Sequence, residues 1–281
     1  MARTKIAAAQ IRATLGDVPG NLRQILEQVH AAAAQGAQLV VFPEAITSGY
    51  MFDDADEARK ATISVDGPEV DQIAAACGDG LYAVLGILET GADSKIFNTA
   101  LLITGTGVVG VYRKHHLPFL GVDRFVTPGS EASPAVFETA IGRVGLAICY
   151  DIRFPESARA LALAGADVIA QPAVWPDSAD IIVEHIVRVR AAENHVFLVP
   201  VSRGDIENGD QYRGNSQIID PKGKVLALAE KEETLLIAEV DLGTAAEKRM
   251  VIRPGEYELS IFADRRPELY HTLTTAAAAE H

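Results

Sequence analysis

The chain predicts an α/β fold, a layered sandwich of strands and helices in a single domain. Three observations carry this. Apolar runs of strand length recur along it, among them Ile6–Ile11, Ala37–Phe42, Leu81–Leu88 and Leu146-Ala-Ile148. Stretches with helical spacing of apolar residues, or rich in Ala, fall between several of them. No Gly/Ser linker or fixed-period repeat divides the chain. Hydrophobic residues make up 48% and aromatics only 6%, so the core of this 281-residue chain is built from Ala, Val, Leu and Ile.

In order, a strand at Ile6–Ile11 precedes a helix from Gly20-Asn21 to about Gln35, with Leu22, Ile25, Leu26 and Val29 on one face. Gly36 closes it, and the strand Ala37–Phe42 ends at Pro43-Glu44. Asp53–Lys60 is polar and helix-prone. Gly67-Pro68 opens a helix to Cys77, Gly78-Asp-Gly80 ends it, and Leu81–Leu88 is the next strand. Phe97–Ile103 and Val108–Tyr112 form a hairpin around Gly105-Thr-Gly107. Strands at Ala135–Phe137 and Arg143–Cys149 flank Gly142. Glu156–Ala164 is a helix, Asp167–Pro172 a strand, Ala179–Asn194 a helix and Val196–Val201 a strand. Ser216–Asp220 and Val225–Ala229 form a second hairpin, Leu235–Val240 is the last strand, and the chain from Met250 onward reads as irregular, with a loosely ordered end over Thr275–His281. The domain therefore has its core at about 5–250 and a tail at 251–281.

A net charge of −13 without long like-charge runs argues against nucleic-acid and anionic-membrane partners. No run of about 20 apolar residues exists to span a bilayer, and the N-terminus lacks a signal-peptide core. Two cysteines, Cys77 and Cys149, show no CxxC or Cys/His spacing, so no metal is expected. No GxGxxG or P-loop is present, so no cofactor is expected either. The expected compartment is the reducing cytoplasm.

Candidate chemistry lies at three strand ends. Leu146-Ala-Ile148 ends abruptly at Cys149, and Pro155 then opens a helix. Cys149 is thus expected at a strand-to-helix elbow, where a sulfur can be exposed and the following N–H groups can hold an oxyanion. A lone cysteine is more often inert, and a lone strand-end Glu44 or Lys114 is more often a solvated charge. Together they supply a nucleophile, a base and a cation at strand ends, where ligands gather in α/β folds.

Phe42-Pro43-Glu44, Tyr112-Arg113-Lys114-x-His116-Leu117 and Cys149-Tyr-Asp-x-Arg153-Phe-Pro-Glu156 resemble the three signatures of the nitrilase superfamily of carbon–nitrogen hydrolases. Arg188-x-Arg190-Ala-x-Glu193-Asn194 and the Gly214–Leu226 block resemble its later motifs, so the likeness spans about Lys5 to Met250. The resemblance implies a four-layer α-β-β-α sandwich, a homodimer or larger homo-oligomer, and a Glu–Lys–Cys triad at Glu44, Lys114 and Cys149. Family members often carry a second acid between the lysine and the cysteine. Here the loop 117–128 holds no Glu, and Asp123 is the candidate.

The implied reaction is hydrolysis of a small amide to ammonia and a carboxylic acid. Glu44 takes the Cys149 proton as sulfur attacks, Lys114 and the Tyr150 N–H hold the oxyanion, and water then clears the thioester. Tyr150-Asp151 stands where true nitrilases show Trp-Glu, which favours an amide over a nitrile; a nitrile or an N-carbamoyl amine is the alternative. A non-catalytic binding subunit on the same fold, and acyl transfer to an amine, are further alternatives. Tyr50, Tyr150 and Trp175 are the expected pocket residues. His116 and His185 read as scaffold, Arg153 as a brace of the elbow through a carboxylate, and Arg188 with Glu193 as an ion pair.

Overall fold

The computed structural model describes residues 3–131, 133–246 and 248–275. The chain divides into two compact units, Met1–Ala246 and Glu247–His281.

The first unit opens with β1 (Thr4–Gln10), α1 (Val18–Ala34), β2 (Leu39–Val41), α2 (Ala55–Lys60), α3 (Pro68–Cys77), β3 (Tyr82–Thr90), β4 (Ile96–Thr104) and β5 (Gly107–Arg113). It continues with β6 (Val136–Thr139), β7 (Gly142–Leu146), α4 (Pro155–Leu163), β8 (Val168–Pro172), α5 (Val187–Asn194) and β9 (Phe197–Val201). The short β10 (Ile206–Glu207) and β11 (Asp210–Gln211) pair with each other. Then come β12 (Gln217–Ile219), β13 (Val225–Leu228), β14 (Thr234–Val240) and the single turn α6 (Gly243–Ala246).

Two six-stranded sheets result, ordered β14-β1-β2-β3-β4-β5 and β13-β12-β9-β8-β7-β6. Each has three parallel strands at its centre, β1–β2–β3 in one and β7–β8–β9 in the other, with antiparallel strands outside. Of these, β2, β8 and β9 are buried along their whole length, as a sheet covered on both faces requires. β1, β2 and β3 pack across the interface on β8, β9 and β12. On the outer face of the first sheet, α1 and α3 bury Leu22, Ile25, Val29, Val70 and Ile73 against strand residues such as Val40 and Leu85. Each such side chain contributes about 1.5–3 kcal/mol. On the outer face of the second, α4 and α5 cover β7 and β9. This is the α-β-β-α sandwich.

Local chemistry explains the element ends. Asp17 caps α1 through the Gly20 N–H at 3.0 Å, and Asp54 caps α2 through two N–H groups at 2.8 Å. Pro68 and Pro155 occupy first-turn positions of α3 and α4, where a missing N–H costs nothing.

Some expectations are corrected. β7 stops at Leu146, and Cys149–Arg153 is a 3₁₀ turn, because Cys149 adopts φ +42 and leaves the ladder. The Ala179–Asn194 helix opens with a π-helical turn at Ile182–Ile186 before α5. The segment from Met250 is not irregular: in the second unit β15 (Met250–Arg253) pairs antiparallel with β16 (Tyr257–Leu259). Pro254-Gly255, with Gly255 at φ +72, is the turn that makes the hairpin. The expected loose end lies, beyond Thr275, outside the described residues.

Candidate active site

Glu44 arises where the chain leaves β2. Phe42-Pro43 runs on from the strand, and Ala45 turns it at φ +48. Gly86 of β3 lies directly beneath. A Cβ there would stand 2.5 Å from both the Glu44 Cα and the Ala45 N. The Gly86 N–H donates to Pro43 O at 3.1 Å, and the Ile46 N–H donates to Gly86 O at 2.9 Å, so the turn is seated on the strand. It also reaches the other sheet, where the Glu44 N–H donates to Ala173 O at 3.3 Å and the Val174 N–H donates to Glu44 Oε2 at 3.1 Å.

Lys114 follows β5, its N–H donating to Asn98 O at 2.8 Å. Its side chain is wholly buried, and Nζ lies 2.7 Å from Glu44 Oε1 and 2.5 Å from Asp123 Oδ2. Asn98 bridges the two acids, its amide donating to Glu44 Oε1 at 2.7 Å and to Asp123 Oδ1 at 2.9 Å. The Tyr50 hydroxyl donates to Asp123 Oδ2 at 2.8 Å.

Cys149 is 9% exposed, at the strained turn after β7. A non-glycine residue at positive φ costs about 1–3 kcal/mol and persists only where its surroundings hold it. Its thiol faces Val174 O at 3.9 Å, so Val174 meets Cys149 with its carbonyl and Glu44 with its N–H. The Gln171 amide donates to Cys149 O at 3.0 Å.

The electrostatics follow from burial and from this proximity. Burial pushes the Glu44 carboxyl above its ordinary value; Lys114 pulls it down and Asp123 adds to the rise. Burial disfavours the Lys114 ammonium, but Asp123 and Glu44 outweigh it and hold its pKa well above the usual lysine value. Burial, then the charge of Glu44, push the Cys149 thiol well up, with Lys114 partly opposing. The resting sulfur is therefore held as a protonated thiol, close to a carboxyl group whose affinity for a proton is itself raised.

So the structure brings together Glu44, Lys114, Cys149, Asp123 and Tyr50. Tyr150 follows Cys149, its ring edge-on to Phe154 at 5.2 Å. Trp175 follows Val174 and is buried, its backbone N–H donating to Ser202 Oγ at 3.0 Å. His185 is exposed on the π-helical turn. Arg153 does not brace the elbow through a carboxylate. It is exposed, and Arg190 instead donates to Ile152 O at 3.0 Å and Arg153 O at 3.3 Å. The Arg188–Glu193 pair does not form either. Five residues apart on a helix they face different sides, whereas Arg190, three residues from Glu193, meets it at 2.9 Å. Arg188 donates to Gly223 O.

The sequence profile of the carbon-nitrogen hydrolase family matches residues 5–250. The chain belongs to that family. As a carbon–nitrogen hydrolase it is 36% identical to a protein named nitrilase from Pyrococcus abyssi, over 95% of this chain and 98% of that one. It is 32% identical to deaminated glutathione amidase of Bos taurus, over 95% of this chain and 84% of that one. Among solved structures it resembles a Glu-to-Gln variant of the amidase from Nesterenkonia sp. AN1, with a TM-score of 0.80 and 25% identity over 96% of each chain. That amidase carries the acetamide moiety of fluoroacetamide covalently on its active-site cysteine.

Sequence reasoning passed over several residues around this cluster. Asn98 had one signal, an amide inside the mostly apolar β4. Glu207 accepts from the N–H groups of Tyr50 and Met51 at 3.0 and 2.8 Å and from the Tyr212 hydroxyl at 2.8 Å, and meets Arg203 at 2.6 Å. It holds the Tyr50 segment in place from more than 150 residues away, a distance no local pattern spans. No helix among the described residues is long and apolar enough to cross a membrane.

Proposed function

We propose that this carbon–nitrogen hydrolase cleaves a small amide through a thioester on Cys149. One observation carries the proposal: Glu44 touches Lys114 directly and shares Val174 with Cys149, so base, cation and thiol adjoin one space. Because the thiol is held protonated, attack and deprotonation are coupled. Glu44 accepts the Sγ proton as sulfur adds to the carbonyl carbon. The oxyanion is held by the Lys114 ammonium and the Tyr150 N–H, and one such donor is typically worth about 3 kcal/mol of barrier. Glu44 then protonates the departing nitrogen, which leaves as ammonia. Water, giving its proton to Glu44, attacks the thioester, and the acid departs as the thiol reforms. The raised pKa of Glu44 suits a group that must both take and give a proton.

A nitrile could enter the same site and pass through a thioimidate, and the relative named nitrilase favours keeping that second reading. An ammonia-release screen over small amides, N-carbamoyl amines and nitriles decides. Release from amides is expected, and release from nitriles alone would overturn the amide assignment. Free thiols at Cys77 and Cys149 suit a reducing cytoplasm. Self-association into a homodimer or larger assembly completes the proposal, with sizing in solution as its check.

A further inference from the structure

We propose that Asp151 is a positioning residue that locks the Cys149 turn to the strand end bearing Lys114. The inference rests on the roles assigned above to Cys149 and Lys114. Asp151 stands two residues after Cys149 with its side chain fully buried. Oδ2 accepts from the Ile148 N–H at 2.9 Å and from the Tyr112 hydroxyl at 2.8 Å. Oδ1 accepts from the His116 N–H at 3.3 Å and from His116 Nδ1 at 2.7 Å. Tyr112 and His116 are the residues two before and two after Lys114. One carboxylate thus grips both flanks of the lysine from within the cysteine turn.

Two further contacts tighten the junction. The Asp151 N–H donates to Ile148 O at 2.9 Å, so backbone and carboxylate together close a loop around Cys149 at φ +42. The His116 ring stacks on Phe154, five residues past the cysteine, with centroids 3.9 Å apart and planes 15° from parallel. Burial and the charge of Asp151 hold Tyr112 as a phenol, which keeps it a donor. Neither Glu44 nor Asp123 is among the partners of Asp151, so the clamp is separate from the acid–base network and sets where sulfur stands relative to the ammonium. Displacing reacting groups by about 1 Å can cost a hundredfold in rate.

The test uses the full chain, with kcat and KM for a small amide and the rate of Cys149 alkylation by iodoacetamide as readouts. In Asp151→Asn, kcat and the alkylation rate each fall by about tenfold or more, with KM within about twofold. His116→Ala gives part of this loss, and His116→Asn, whose amide can donate to Asp151, recovers most of it. Ile73→Ala, a core truncation in α3 remote from the turn, lowers stability but leaves the alkylation rate unchanged. Should Asp151→Asn fail to fold, Tyr112→Phe removes one donor and carries the same expectation. Wild-type alkylation and kcat in the folded variant, or equal losses in His116→Ala and His116→Asn, overturn the inference. Turnover surviving in Cys149→Ala would instead strike the underlying roles, so the two failures are distinguishable.

Discussion

Asp123 stands 2.5 Å from the Lys114 ammonium, nearer than Glu44 at 2.7 Å. The lysine therefore belongs to two carboxylates, and its charge is not fully spent on Glu44. Asp123 also crowds Glu44 electrostatically and so makes it a stronger base. The shorter side chain still reaches because Tyr50 and Asn98 aim its two oxygens, at 2.8 and 2.9 Å.

Replacing Asp123 by Asn tests this division of labour. Glu44 must be ionised to act as a base, and the charge of Asp123 raises its pKa, so removal lets it titrate lower and the acid limb of kcat/KM moves to lower pH. Lys114 loses the largest charge supporting its ammonium, so the alkaline limb moves down as well. The whole profile slides toward acid, and its peak falls by about tenfold or more as the oxyanion donor loses its second anchor. An acid limb that stays put or rises would refute the assignment of Asp123.

Glu44→Gln separates base from nucleophile. Turnover falls by about a thousandfold, within the range a positioned acid–base group supplies. Lys114 keeps Asp123, so the fold persists. Cys149 loses the neighbouring charge that, after burial, most raises its thiol, so thiolate absorbance appears at lower pH than in the parent. Iodoacetamide should still label it stoichiometrically. A variant retaining a tenth of parental turnover would remove Glu44 from the mechanism.

The strands, the helices and the places of Glu44, Lys114 and Cys149 just past strand ends were legible because each is written locally. Apolar runs ending at Glu44, Lys114 and Cys149 appear in a few residues of sequence, as do Pro68 and Pro155 at helix starts. What was not legible was long-range satisfaction of buried polar groups. Glu207 reads as one more charged loop residue until Tyr50 and Met51 offer it their N–H groups. Asp151 was visible as part of a motif but not as a junction, since Tyr112 and His116, which it joins to the turn, lie 35 to 39 residues away. The π-helical turn and the early exit of β7 likewise answer to packing around the elbow, and periodicity carries no record of that.

Glu207→Gln tests one such long-range group. It leaves the buried Arg203 with Asp205 as its carboxylate partner and turns an amide donor toward an N–H or a guanidinium. Breaking a buried pair from one side costs about 3 kcal/mol. Chemical denaturation should register that loss with an unchanged denaturant slope. Activity should fall too, because Tyr50 holds Asp123. A loss under about 1 kcal/mol, the size of an exposed pair, would mean the pair is not buried as described.

Gly86→Ala carries the fold's demand on the site most directly. The added Cβ meets main-chain atoms of Glu44 and Ala45 at 2.5 Å, and backbone cannot swing aside as a side-chain tip can. The two hydrogen bonds between Gly86 and this turn must lengthen. Overpacking of this kind costs about 1–3 kcal/mol. The kinetic effect should exceed what stability predicts. Measured well below its melting temperature, where the variant is fully folded, kcat should fall by about tenfold or more because Glu44 has shifted from Lys114 and Cys149. A core truncation of similar cost in α3, such as Ile73→Val, should leave kcat alone. If both variants lose stability and neither loses kcat, then Glu44 does not need this seat on β3, and its place over the glycine has no bearing on turnover.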